Sequence, residues 1–341
     1  MTELTDAGVL LRMAYNAMQS AGVDADAVLA EVGMDKSVLN KQDLRTPHDA
    51  QEWFWQALEK VSGDPHIGLH LGDHVPTFKG QILEYLFLSS PTFGDGLQRA
   101  LNYQRLISDA FEAELTVEGE DAVLRQTAWS PQLYHLNECV MVGIIKFFRY
   151  VTDDAFEPRA VEFQHRRHAD QAEYERVYQC PVHFQQASSG LRFDRKLLDL
   201  PSPHHEPDLL RLHEQVASEQ VAKLEKKDLV SKVNRLIGEL LESGHANLEE
   251  VAERLGIKPR QLRTRLAEAD TNFNQLVADY RCRLAKRLLA GTEESIDEIV
   301  YLTGFSEPST FYRAFKRWVD MTPIEYRRLK QEEEAEDDSR K

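Results

Sequence analysis

LEEVAERLGIKPRQLRTRL, residues 248–266, has the pattern of two short helices joined by a tight turn. Apolar residues recur at helical spacing on both sides of Gly256, and glycine suits a turn that needs a positive φ angle. Asn247, just before the segment, and Glu250, three residues later, are typical of a helix start. The segment therefore predicts a helix-turn-helix from Asn247 to Leu266.

A second segment, from Ser295 to Phe315, repeats this pattern. Three pairs of landmarks are each 48 residues apart: the caps Asn247 and Ser295, the acidic third positions Glu250 and Glu298, and the turn glycines Gly256 and Gly304. Such regular spacing indicates an internal duplication of the motif. The alternative interpretation is an all-helical bundle with glycine turns and no role in DNA binding.

The helix that follows each turn has a polar outward face. At about 100° per residue, the leucines of the first and the aromatic residues of the second point inward. The outward and flanking residues are Arg260, Gln261, Arg263, Thr264 and Arg265 in the first helix, and Ser309, Thr310, Arg313, Lys316 and Arg317 in the second. Arginine and glutamine can pair with base edges, and flanking cations suit phosphates. These ten residues are the candidate DNA contacts; an ordinary solvated face is the alternative.

A longer helix is predicted between the two motifs, roughly from Asn272 to Ala290, where apolar residues keep helical spacing. A helix of about nineteen residues is about 28 Å long. One turn of duplex DNA is about 34 Å. One chain is therefore expected to place its two reading helices in successive major grooves, with modest DNA bending.

Three segments of this region follow a known family pattern: LEEVAERLGIKPRQLRTRL, FNQLVADYRCRLAKRLLAGT and IDEIVYLTGFSEPSTFYRAFKRWVDMTPIEYRRL. Residues 229–329 thereby resemble the AraC/XylS family of bacterial transcription regulators, most specifically in GF-x3-S-x-F-x-R-x-F-K-R, residues 304–317. The resemblance implies groove-facing positions for Arg260, Arg263, Thr264, Ser309, Thr310 and Arg313. Three residues depart from the family pattern: Thr264 replaces a frequent arginine, and Asp270 and Asp320 replace frequent glycines.

The N-terminal part mixes both kinds of secondary structure and predicts an α+β domain before an all-α C-terminal domain. Helical spacing occurs in residues 4–20, 25–32, 48–61, 80–88, 97–111 and 136–151, whereas a hairpin over 114–129 and strands at 160–164, 182–186 and 190–193 are predicted. The resulting domains are an α+β domain at 1–210, a helical linker at 211–228, a double helix-turn-helix domain at 229–330 and an acidic disordered tail at 331–341.

The N-terminal domain also resembles a known one, the non-cupin N-terminal domain of regulators in the ornithine-utilisation and quorum-sensing branch of the AraC family. The segments that carry this resemblance are GDPHIGLHLGD (63–73), LSSPTFGDGLQRALNYQRLI (88–107) and YERVYQCPVHFQQASSGLRFDRKLLDLPSP (174–203). It implies a domain that binds an effector or forms a dimer and thereby controls the DNA reader.

Charge is divided unevenly along the chain, whose net charge is -16. Residues 231–330 carry 17 basic and 15 acidic side chains, whereas residues 1–230 carry 22 and 36. General attraction to DNA is therefore weak, and binding is expected to depend on cations placed locally in the two motifs.

Several other site classes are not expected. The sequence has no apolar run long enough for a membrane span and no signal-peptide pattern, which favours a cytoplasmic protein. His66, His70 and His74 have a metal-ligand spacing, but Gly68 and Gly72 are expected to weaken the helix that would carry them. No metal or other cofactor is predicted.

The function predicted from these patterns is a sequence-specific transcription regulator, an activator, that binds double-stranded promoter DNA. It is expected to form a homodimer, to contact RNA polymerase and to respond to a small-molecule effector of unknown identity. One alternative is an effector-independent regulator that acts through its abundance or a protein partner. The other is a DNA-modifying enzyme that uses the same reader, for which no nucleophile with a nearby base was found.

Overall fold

The computed structural model describes residues 4–126, 130–241 and 246–338, without the side chains of Pro131 and of residues 334–338. It separates into two compact units, residues 1–221 and 222–341. Among the described residues, no helix is long and apolar enough to cross a membrane. The two units are described in turn.

The N-terminal unit has helices and strands in mixed order, as the α+β prediction required. Its α-helices are α1 (Gly8–Ser20), α2 (Ala25–Glu31), α3 (Ala50–Ser62), α4 (Ile67–His74), α5 (Ile82–Ser89), α6 (Phe93–Asn102), α7 (Tyr134–Val151) and α8 (Gln171–Tyr178). Its strands are β1 (Thr5–Ala7), β2 (Arg45–Pro47), β3 (Ala113–Glu118), β4 (Asp121–Gln126), β5 (Pro158–Glu162), β6 (Val182–His183) and β7 (Ser189–Asp194). Helix α9 (Pro207–Leu241) begins in this unit.

The larger sheet has the strand order β3-β4-β7-β5-β6. Its β3–β4 pair is the predicted hairpin, with Leu115 opposite Leu124, and the last predicted residues, 127–129, lie outside the described residues. Only the β5–β6 pair is parallel among the strands described. The inner face of the sheet and α7 share one core, in which Phe148, Phe156 and Phe193 form a chain of ring contacts with centroids 5.1 and 5.3 Å apart.

The expected weakness of a helix around Gly68 and Gly72 was wrong, because α4 is continuous from Ile67 to His74. Both glycines face α7 at close range. A Cβ at Gly68 would lie 2.4 Å from the backbone of His135, and one at Gly72 would lie 2.7 Å from the side chain of Val142. Glycine is therefore used here to let two helices approach each other, a gain that offsets its low helix propensity.

Two other predicted helices have different bounds. The helix expected at 97–111 starts at Phe93, because the Thr92 hydroxyl accepts a bond from the Asp95 amide at 3.1 Å, and it ends at Asn102. The helix expected at 4–20 starts at Gly8, because the preceding residues pair as β1 with β2. Local periodicity does not reveal such a non-local strand partner.

The C-terminal unit is all-α, and both predicted helix-turn-helix motifs are present in it. Its helices after α9 are α10 (Leu248–Arg254), α11 (Pro259–Glu268), α12 (Phe273–Gly291), α13 (Ile296–Leu302), α14 (Pro308–Val319) and α15 (Pro323–Asp338). The central helix α12 has 19 residues. Its first half contributes Phe273 and Leu276 to the core of the first motif, and its second half contributes Ala285 and Leu289 to the core of the second.

The linker and the tail differ from their predictions. The segment 211–228 is helical as expected, but it continues without a break into the C-terminal unit as part of α9. The tail was expected to be disordered from 331, whereas α15 continues to Asp338; residues 339–341 lie outside the described part of the chain. Two ion pairs lie along the surface of this helix: Lys330 lies 2.5 Å from Glu333, and Arg328 lies 3.4 Å from Glu332.

Candidate nucleic-acid interface

The first motif is built from a cap, a glycine turn and two buried leucines. The Asn247 side chain accepts a bond from the Glu250 amide at 2.9 Å and so caps α10. Gly256 has a φ of +67°, the left-handed conformation that the turn requires. Leu262 and Leu266 are fully buried and anchor α11 on one side. The opposite side of α11 is thereby held towards solvent.

The second motif uses the same parts with aromatic residues in its core. Ser295 and Glu298 bond reciprocally at the start of α13, at 3.2 and 2.9 Å. Gly304 has a φ of +72°. Phe311 and Phe315 are fully buried, with ring centroids 5.8 Å apart, and they fix the orientation of α14.

All ten predicted contact residues lie on the exposed faces of the two second helices. In α11 they are Arg260, Gln261, Arg263, Thr264 and Arg265, and in α14 they are Ser309, Thr310, Arg313, Lys316 and Arg317. The structure therefore brings them together as two polar surfaces, one on each motif. Their contact with DNA stays a prediction.

The cations of these two surfaces form no ion pairs within the described part of the chain. Among the described residues, none of the six basic side chains forms an ion pair: Arg260, Arg263, Arg265, Arg313, Lys316 and Arg317. Elsewhere in the same unit, Arg235 pairs with Glu239 at 2.8 Å and Arg254 pairs with Glu250 at 3.1 Å, whereas Arg283 and Arg287 of α12 are also exposed and form no ion pair with a described residue. The local positive charge is therefore left available to an anionic partner, although the whole chain is acidic.

Four of the ten side chains bond within their own motif. The Gln261 carbonyl oxygen accepts the Lys258 amide at 3.1 Å, and the Thr264 hydroxyl donates to the Arg260 carbonyl at 3.1 Å. Arg313 donates to the Ser309 carbonyl at 3.3 Å and to the Thr310 hydroxyl at 3.4 Å. Gln261 thus has a capping role that the sequence analysis did not assign, and Arg313 is held along the outer face of α14.

One residue that supports the interface was missed from the sequence. Arg281 of α12 is partly buried and donates to the carbonyl oxygen of Gly304, in the turn of the second motif, at 2.8 Å. Its guanidinium also lies 4.7 Å from the Phe305 ring centroid. The only sequence signal for this role was that Arg281 lies between apolar positions of α12. A basic residue at such a position is equally typical of a helix face exposed to solvent.

The N-terminal unit contains an unusual buried carboxyl group. Glu138 is 1% exposed and accepts a bond from the Tyr174 hydroxyl at 2.6 Å. Burial raises the pKa of Glu138 to about 8. His165 Nε2 lies 3.8 Å from its oxygen, and burial lowers the pKa of His165 to about 4. Both groups are therefore held in their neutral forms around neutral pH.

Two of the three histidines with metal-ligand spacing, His66 and His70, are in edge-on ring contact, with centroids 6.2 Å apart. His70 Nδ1 lies 2.5 Å from Asp64, and its Nε2 lies 3.3 Å from Glu173. His74 instead lies 3.4 Å from the Ser20 hydroxyl. In the described part of the chain, no group of three or more His, Cys, Asp or Glu side chains is arranged to hold a metal ion.

Two family profiles match the chain and together span most of it. The profile of the arabinose-binding N-terminal domain of the AraC transcription regulator matches residues 22–202. A helix-turn-helix domain profile matches residues 251–329. The second range contains α11 and α14 with all ten contact residues.

Similar individual proteins are bacterial regulators. The ornithine utilization regulator of Pseudomonas aeruginosa is 29% identical over 311 residues, which cover 90% of this chain and 91% of the relative. The transcriptional regulator VirS of Mycobacterium tuberculosis is 28% identical over 190 residues, or 56% of each chain. The crystal structure of the regulator CdpR from Pseudomonas aeruginosa aligns with a TM-score of 0.43 and 20% identity, covering 88% of this chain and 97% of that one.

Proposed function

Because this chain belongs to the AraC family of transcription regulators, we propose that it reads promoter DNA through α11 and α14 in two successive major grooves. The single observation that carries this proposal is the pair of exposed surfaces whose six cations form no ion pair with the residues that the structure describes. Arg260, Arg263 and Arg313 have the chemistry to pair with base edges and are proposed to do so, and Arg265, Lys316 and Arg317 are proposed to bind phosphates.

Selection of bound duplexes from a random library tests this role with the full-length protein. We expect one enriched sequence for the wild type. Arg313→Ala is expected to lose about 1 to 3 kcal/mol of specific affinity and to relax preference within one half of the site. The matched control is Arg328→Ala, an exposed cation of α15 that pairs with Glu332 of the same helix. No enrichment by the wild type, or equal losses in both variants, would contradict the proposal.

The N-terminal unit is proposed to bind a small-molecule effector. Its support is the match of residues 22–202 to a ligand-binding domain profile. The name of the ornithine utilization regulator makes amino acids a reasonable first group of compounds to test. A compound that binds only the folded state raises the unfolding temperature. If no compound in a broad metabolite set does so, effector-independent control by abundance or a partner becomes the better account.

We also propose that the protein forms a homodimer through the exposed apolar face at the start of α9. Leu209 and Leu212 are 49% and 54% exposed and lie about one helical turn apart. Light scattering on the wild type is expected to give twice the chain mass, and Leu209→Asp with Leu212→Asp is expected to give the chain mass. A monomeric wild type, or a dimeric double variant, would contradict this interface.

The last part of the proposal concerns whether the protein activates or represses transcription, and where in the cell it acts. We propose activation in the cytoplasm, on the nucleoid when bound, with contact to RNA polymerase at the promoter, and no enzymatic role. Transcription in vitro from the selected site with purified polymerase tests this directly. More transcript with the protein supports activation, whereas less transcript makes it a repressor.

A further inference from the structure

We propose that a cleft in the N-terminal unit binds the carboxylate of a small aliphatic acid, an inference that rests on the proposed effector control. The cleft has a volume of about 200 Å³. Residues from the end of α4, the second half of α7 and the end of α8 line it, among them Asp73, Ile145, Lys146, Arg149, Val177 and Tyr178. It therefore lies where three helices of the unit meet.

Arg149 supplies the group that would bind the carboxylate. Its side chain is half-buried and forms no hydrogen bond or ion pair with any residue that the structure describes. By contrast, the nearby Arg176 is already paired, 2.7 Å from Glu173 and 3.4 Å from Asp73. A guanidinium presents two parallel donors that match the two oxygens of a carboxylate. The unpaired Arg149 thus favours an anion of this geometry.

Lys146 adds charge to the same cleft without offering a free donor. Its ammonium donates to the backbone carbonyl oxygens of Gly72 at 3.5 Å, Asp73 at 3.0 Å and Val75 at 2.7 Å, which close the end of α4. The hydrogen bonds of Lys146 are therefore already used within the protein. Its positive charge still makes the potential near Arg149 more favourable for an anion.

The other walls indicate what the rest of the ligand looks like. Val142, Ile145 and Val177 supply the apolar part of the lining, whose exposed surface is mostly polar, so the cleft suits a short aliphatic chain that carries polar groups. Asp73 adds a carboxylate beside it, and the surrounding unit is acidic. A multiply charged anion such as a phosphate is disfavoured there, whereas a monoanion is accepted and an amino group next to Asp73 adds an attraction.

A ligand in the cleft would affect how two helices of the N-terminal unit pack together. Tyr178 lines the cleft and is 1% exposed, and its hydroxyl donates to the backbone carbonyl oxygen of Glu138 at 2.9 Å. This bond joins the end of α8 to the first half of α7. A ligand in contact with Tyr178 therefore stabilises one arrangement of these two helices, which is what an effector must do.

The test uses full-length protein with three probes of equal chain length: sodium pentanoate, L-norvaline and pentylamine. Thermal unfolding and titration calorimetry measure binding. Pentanoate or L-norvaline is expected to raise the unfolding temperature, and pentylamine is expected to have no effect. Arg149→Gln is expected to weaken binding about tenfold or more. Arg167→Gln removes the same charge from an exposed residue outside the cleft and is expected to bind normally.

The outcomes distinguish the class of ligand, and they test separately whether the cleft binds a carboxylate and whether that binding controls DNA affinity. Binding of L-norvaline but not pentanoate identifies an amino acid site, in which Asp73→Asn then weakens binding. No binding by these acids or their shorter and longer homologues, or equal binding by Arg149→Gln and the wild type, overturns the cleft as a carboxylate site. If a different compound then changes the affinity for DNA, effector control is retained and only the proposed cleft is wrong. Carboxylate binding that leaves DNA affinity unchanged keeps the site but overturns its regulatory role.

Discussion

Arg281 Nη2 donates a hydrogen bond of 2.8 Å to the carbonyl oxygen of Gly304, and this bond ties the central helix α12 to the turn of the second motif. Within the described part of the chain no carboxylate pairs with Arg281, and burial lowers the pKa of its guanidinium. The fold therefore accepts a partly desolvated cation at the point where the turn before α14 needs a donor.

Arg281→Met is expected to destabilise the protein by about 1 to 3 kcal/mol, because the Gly304 carbonyl loses a charged donor while methionine, although shorter, keeps an unbranched apolar stem. Urea unfolding measures the change. Arg283→Met, which alters an exposed neighbour on the same helix, is expected to stay within about 0.5 kcal/mol of the wild type. Equal stability of the two variants would show that the bond to Gly304 contributes nothing.

The two turn glycines offer a matched pair of alanine variants. Both have a positive φ, so each alanine is expected to cost about 1 to 2 kcal/mol of folding free energy. A Cβ at Gly256 meets no atom within 4 Å, whereas one at Gly304 lies 3.2 Å from Arg281 and Leu241. Gly304→Ala is therefore expected to be the more destabilising variant in a thermal melt, and the reverse order would be inconsistent with this geometry.

Glu138 makes stability depend on pH. Its pKa in the folded state is about 8, above the ordinary value of 4.5, so the protonated form stabilises the fold. This contribution is fully present below pH 4.5 and is lost as the pH rises through 8, by at most about 1.4 kcal/mol per pH unit. Glu138→Gln is expected to flatten that decline in denaturant titrations.

The pH range of this measurement matters because His165 makes stability change with pH in the opposite direction. Its pKa is lowered from 6.5 to about 4, so its contribution is lost as the pH falls through that range. Titrations between about pH 6.5 and 8 therefore isolate Glu138. The control Glu175→Gln, on the exposed surface of α8, is expected to keep the slope of the wild type. If stability falls with pH as steeply in Glu138→Gln as in the wild type, another group causes the pH dependence.

The parts of the structure that were predictable from sequence are those with local causes. Caps and glycine turns such as Asn247 and Gly304 are set by neighbouring residues, so the two motifs and the outward faces of α11 and α14 followed from spacing. The close contact of Gly68 with α7, the pairing of β1 with β2, and the bond from Arg281 to Gly304 depend on residues distant in sequence. The cleft at Arg149 likewise requires three helices to meet, and no single segment indicates it.

Base-by-base interference mapping of the full-length protein on its selected DNA site tests whether one chain reads two successive major grooves. We expect two patches of contacted bases on one face of the duplex, about ten base pairs apart. We also expect Arg260→Ala to weaken one patch and Arg313→Ala to weaken the other. A single patch affected by both variants, or two patches on opposite faces, would contradict a chain that reads two successive major grooves.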